Sequence, residues 1–307
     1  QALALLGRDP GTEAAKPAFE LSPDMSAGEA TRRVLLALLR RVERNEEGTR
    51  KDLDSEYLHQ LRVAVRQSRS ALSQIKGVLP EEAMARFRRD LSWLGKATGP
   101  TRDLDVYLLK MPAYEADLPE EARAHIEPLA TFLRELQRKE QRKLRRVLSS
   151  QRYKRFKQGW RSYLEEVQTA ASALTNAERP AAELASERIN KIFKRVLKRG
   201  SAITEETPAQ ALHDLRIECK KLRYLITFFS DLFLPKLIGK TISDLKGLQD
   251  NLGDFNDLEV QQDALSAFAR QMAAEAKAPP ETILAMGRLV ELLAKRQQDE
   301  RERFAEG

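Results

Sequence analysis

Four basic side chains, His59, Arg62, Arg66 and Arg69, follow one another at spacings of three and four. On a helix turning 100° per residue they share an arc of about 80°. The apolar residues Leu58, Leu61, Val65, Leu72 and Ile75 fill the adjoining arc. No Asp or Glu stands between His59 and Lys76, so the row lacks the i,i+4 acid partners that support an ordinary charged face. Like charges at this spacing repel, and an anion relieves them. Guanidinium offers forked donors that fit phosphate oxygens, and lysine adds a point charge. From Arg62 to Arg69 the helix rises about 10 Å, room for several phosphates of a linear chain. The competing reading is a plain solvated face.

The pattern occurs twice. His59-Gln-Leu-Arg62-Val-Ala-Val-Arg66-Gln-Ser-Arg69 reappears as His213-Asp-Leu-Arg216-Ile-Glu-Cys-Lys220-Lys221-Leu-Arg223, an offset of 154. At the same offset, Gly99-Pro-Thr-Arg-Asp103-Leu-Asp105-Val returns as Gly253-Asp-Phe-Asn-Asp257-Leu-Glu259-Val. Upstream, Arg40 and Arg44, one helical turn apart, correspond to Lys194 and Lys198. Two helical halves at 24–150 and 178–307 are therefore predicted, joined by a helix at 151–174 and preceded by a lead or linker at 1–23. Each half alone is a thin bundle with an exposed seam, so the repeat predicts a pseudo-two-fold arrangement inside one domain at 24–307.

Helices must position these side chains, because apolar residues recur at spacings of three and four almost throughout and strand-like alternation is absent. The predicted helices are 24–47, 53–78, 81–98, 102–111, 119–148, 151–174, 178–199, 208–232, 235–251, 255–276 and 280–304, most of them bounded by prolines. The chain has 307 residues, 42% of them hydrophobic, with 53 Lys+Arg against 46 Asp+Glu and a net charge of +7. That composition excludes disorder and supports a real core. Its most apolar stretch, Leu225 to Leu234, is broken by Asp231 and is too short to cross a bilayer, so no membrane role is expected. A single cysteine, Cys219, falls on an apolar helix face and is expected in the core; it cannot form an internal disulfide, which points to the cytoplasm.

Other chemistry finds less support. The repeated acids Asp103, Asp105, Asp257 and Glu259 would need to converge to hold Mg²⁺ or act as an acid–base pair; the alternative places each set in the first turn of a helix after a glycine-containing break, capping it or anchoring arginines. His59 and His213 have cationic neighbours and lack the further ligands zinc takes, so no metal is expected. They either donate to phosphate or pack to orient the arginines, and His125 has no repeat mate and is read as a surface residue. The segment 138–157 holds ten Lys/Arg and the single Glu140, pointing all round its helices, so it is either solvated or partly lines a groove. No phosphate-binding loop, dinucleotide loop or hydrolase motif is present, and neither catalytic residues nor cofactors are expected. With 6% aromatics and none among the first arginine row, base reading lacks its usual chemistry, which leaves only a non-specific nucleic-acid backbone binder as a competitor.

The duplicated H-x-x-R-x-x-x-[RK]-x-x-R helices, each followed 44 residues on by an aspartate-leucine motif, resemble the conserved histidine α-helical domain, the CHAD family. The resemblance covers residues 24–307. It implies an all-α fold of two four-helix-type halves, related by pseudo-two-fold symmetry around a basic channel. It also implies inorganic polyphosphate as ligand and association with polyphosphate granules in bacteria. Carried over, the ligand contacts are His59, Arg62, Arg66, Arg69, His213, Arg216, Lys220, Lys221 and Arg223, with Arg40, Arg44, Lys194 and Lys198 as a second tier. Members often follow an N-terminal triphosphate-tunnel (CYTH) domain. The E-x-E-x-K signature of that domain is absent, while the lead from Leu6 to Pro23 resembles a linker after one, so a longer natural protein is expected. An enzyme module acting on polyphosphate remains the alternative to a pure binder. Replacing Arg62 and Arg216 is expected to weaken binding with little effect on stability.

Overall fold

The computed structural model describes residues 19–166, 174–203 and 207–306, and no strand forms among them. The N-terminal lead up to residue 18 and the connecting helix beyond residue 166 lie outside them. The chain runs through α1 (Ala27–Lys51), α2 (Ser55–Gln74), α3 (Glu81–Ala97), α4 (Gly99–Asp117), α5 (Glu120–Arg123), α6 (Glu127–Ser149), α7 (Gln151–Glu166), α8 (Ala181–Gly200), α9 (Ala209–Phe228), α10 (Pro235–Ala274) and α11 (Pro280–Glu306). It is all helical, as the periodicity requires. Among the described residues no helix is long and apolar enough to cross a membrane.

Two compact units emerge, and each draws on both sequence halves. The first comprises the chain up to Arg102, Gln141–Arg195 and Lys220–Asp244; the second comprises Asp103–Glu140, Val196–Cys219 and the chain from Leu245 on. In the first unit, α1 begins at Ser26, whose hydroxyl accepts the Glu29 N–H at 3.3 Å, and buries Val34, Leu35, Leu38, Leu39 and Val42. Asp54 caps α2 by accepting the Glu56 N–H at 2.8 Å, and Tyr57, Leu58, Leu61, Val65 and Leu72 turn inward. A side chain at Gly48 would overlap the Tyr57 ring, so glycine sets how closely α1 and α2 approach. Helix α3 packs through Phe87, whose ring lies 4.0 Å from Trp160 of α7. The second half contributes Phe228, edge-on to Phe19 at 6.3 Å, and Arg179, whose carbonyl accepts the Ala27 N–H at 2.8 Å. The second unit closes around Tyr114, Leu118, Leu129, Leu133, Leu265, Met286 and Leu289.

Three boundaries differ from the sequence prediction. Pro112 lies inside α4 instead of ending it. The span predicted as one helix from residue 119 is α5, a 3₁₀ turn at Ala124–Ile126 and α6. The helices predicted on either side of Gly253 are one helix, α10, 40 residues long. The first repeat does break at the matching place, with Thr98 between α3 and α4, because Pro100 follows Gly99 and lacks the N–H a continuing helix needs. Asp254 stands in that place in the second repeat, and glycine alone costs only about 1 kcal/mol. Asp257 and Glu259 therefore sit within a helix, not in its first turn.

Candidate anion-binding site

Helix α2 carries His59, Arg62, Arg66 and Arg69 on one flank, as its apolar face demands, but they do different things. Arg62 is half-buried, and its Nη1 donates to the Gly95 carbonyl and the Thr98 hydroxyl, both at 3.0 Å. It thereby satisfies the C-terminal end of α3, where carbonyls lack helical partners. Arg66 and Arg69 are exposed. An ideal Cβ on Gly95 would lie 3.5 Å from the Arg69 Nη1, which places that guanidinium over the negative end of α3.

Arg66 and Arg69 form one wall of an open cavity of about 550 Å³. Ser70 and Ser73 extend this wall along α2, Ala85, Arg88, Arg89 and Ser92 line the opposite side from α3, and Lys221 of α9 completes it. Nine side chains thus supply five cations, three hydroxyls and no carboxylate. Among the described residues Arg66, Arg69 and Arg89 form no ion pair, while Arg88 pairs with Glu81 at the solvent edge. Guanidinium stays charged at any relevant pH and hydroxyls donate without adding charge, so the cavity is equipped for oxyanions.

His59 sits between this row and further cations. Burial, followed by the charges of Arg102, Arg66 and Arg41 against the opposing pull of Glu56, lowers its pKa, which favours the neutral ring. Arg41 donates to the side-chain amide oxygen of Gln60, and Arg102 Nη1 donates to the Ser55 backbone carbonyl at 3.4 Å.

The remaining sequence candidates lie elsewhere. Arg40, Arg44 and Lys194 are exposed in the first unit, away from the cavity lining, and Lys198 is exposed in the second. Lys220 and Arg223 flank Lys221 on α9 without lining the cavity. His213 and Arg216 belong to the second unit, where Arg216 Nη1 donates to Asp257 at 3.2 Å. Asp105 is buried and accepts from Gln137 Nε2 at 3.1 Å. Among the described residues no three of His, Cys, Asp and Glu gather as a metal centre would require. Cys219 is fully buried, and burial, with Glu218 adding, pushes its thiol up to about 11, an inert core position. His125 is exposed.

Arg88 and Arg89 escaped the sequence reading. A repeat search cannot find them, because the 154-residue offset lands on Ile242 and Ser243. Their signal was the face Ala85, Arg88, Arg89, Ser92, opposite the buried Met84, Phe87, Leu91 and Leu94 of the same helix.

Comparison with known proteins agrees with this architecture. The CHAD domain family matches residues 33–266. A crystal structure of the CHAD domain from the plant Ricinus communis superposes with a TM-score of 0.74 at 29% identity, covering 90% of this chain and 89% of that one. PptA from Streptomyces chartreusis shares the fold with a TM-score of 0.64 at 17% identity, covering 91% and 97%. No curated protein matches the sequence.

Proposed function

The chain belongs to the CHAD domain family, and we propose from that premise that it binds inorganic polyphosphate without turning it over, holding the polymer at the arginine-lined cavity of the first unit. The observation that carries this is the lining itself: five cations from three helices meet with no carboxylate among them. The family resemblance supplies the identity of the polymer; the cavity supplies a reason for it. A linear anion with about one charge per phosphate can meet several of these cations at once, and the counterions it sheds drive capture. Affinity then rises with chain length, because each added phosphate meets a cation already in place. In a bacterial cell the same contacts direct the protein to cytoplasmic polyphosphate granules.

The test is a titration of the full chain at physiological salt with long-chain polyphosphate, single-stranded DNA and duplex DNA, together with an assay for orthophosphate release in Mg²⁺. Polyphosphate should bind more tightly than either DNA and remain intact. Equal affinity for DNA would make the chain a general polyanion binder, and released orthophosphate would make it an enzyme. Replacing Arg66 and Arg69 by Ala should weaken polyphosphate binding and reduce the slope of log affinity against log salt by about one to two.

A further inference from the structure

A second basic surface adjoins the cavity through an aromatic contact. Trp93 stands one turn beyond the cavity-lining Arg89 on α3. The guanidinium of Arg152, from the first turn of α7, lies 4.1 Å from the centroid of the Trp93 ring. Further along the same pair of helices an ideal Cβ on Gly159 would lie 3.4 Å from Arg86 Nη2, so α3 and α7 run antiparallel with arginines along their seam. The Phe87–Trp160 contact beneath fixes the two helices. Arg86, Arg152, Lys154 and Arg155 are exposed, and among the described residues none of them pairs with a carboxylate. Asp90 is the one acid of α3 beyond its first turn and forms no ion pair with them.

Resting on the polyphosphate reading above, we infer that the α3–α7 seam is a second binding segment, onto which a chain too long for the cavity continues past Trp93. A flat indole keeps the Arg152 fork extended, so its outward donors are placed at low entropic cost for phosphate oxygens. The seam engages only chains that already fill the cavity, which makes it a length discriminator.

The test compares Arg152→Ala with Arg155→Ala in one variant against wild type, using polyphosphates of about ten and about a hundred phosphates. Short-chain affinity should stay within twofold of wild type while long-chain affinity falls at least fivefold. Equal losses for both lengths, or no loss for either, would overturn the inference. A Lys236→Ala, Lys240→Ala variant removes the same charge from α10; a matching fall there would show a bulk charge effect and overturn it too. Long chains should also change the Trp93 fluorescence, read as wild type minus Trp93→Phe, and short chains should not. If wild type binds neither polymer, the polyphosphate reading itself fails, a result distinct from all of these.

Discussion

Arg62 and Arg66 occupy neighbouring turns of one helix and carry the same charge, yet the fold uses them oppositely. Arg62 gives its hydrogen bonds to the end of α3. Bonds from a charged donor contribute about 1.5–3 kcal/mol each, so Arg62→Ala should lower the denaturant midpoint by a clear margin, against the expectation that it could be removed without cost. Arg66→Ala should change stability by no more than about 0.5 kcal/mol and register only in ligand binding. His59 carries a pH dependence with a definite sign. Its folded pKa lies below the ordinary value of about 6.5, so between the two values the unfolded chain binds more protons. Stability is therefore retained above about pH 6.5 and declines as pH falls toward the folded value. Chemical denaturation from pH 7.5 to 5 should show this decline, and His59→Gln should reduce it.

At the scale of helices, periodicity and proline positions made most elements legible, because an apolar stripe and a missing N–H are local properties. Helix α10 was not legible: Gly253 looks like a break, but only the Gly99-Pro100 pair of the first repeat removes a hydrogen-bond donor. Asp254→Pro should impose the first repeat's break on the second and cost about 3 kcal/mol or more in unfolding free energy. The candidate site was partly legible for a related reason. Arg66 and Arg69 stood out because they recur as Lys220 and Arg223, and Lys221 because it lies between those two in the second copy, whereas Arg88 and Arg89 matter only once α3 turns that face toward α2. The Phe87–Trp160 contact sets that rotation across some 70 residues of sequence, which no local pattern encodes.

On the scale of the whole molecule, the compact units cut across the repeat. The first unit needs Phe228 against Phe19 and the Arg179 carbonyl at the start of α1, both supplied by the second sequence half. Fragments 1–177 and 178–307 should each show reduced helicity and poor amide dispersion alone, and recover both when mixed. Net charge says little at this scale: +7 over 307 residues is modest, and the lack of carboxylates in the cavity lining is what concentrates the field. The origin of Lys221 sets a schedule. During synthesis the arginines of α2 and α3 leave the ribosome long before α9 exists, in the presence of the ribosome's own RNA. The cavity gains its last cation only after about seven-tenths of the chain has been made. A nascent chain thus exposes an arginine row without the finished pocket, and its capture by polyanions before completion is a hazard this topology creates and that rapid closure of the first unit must outrun.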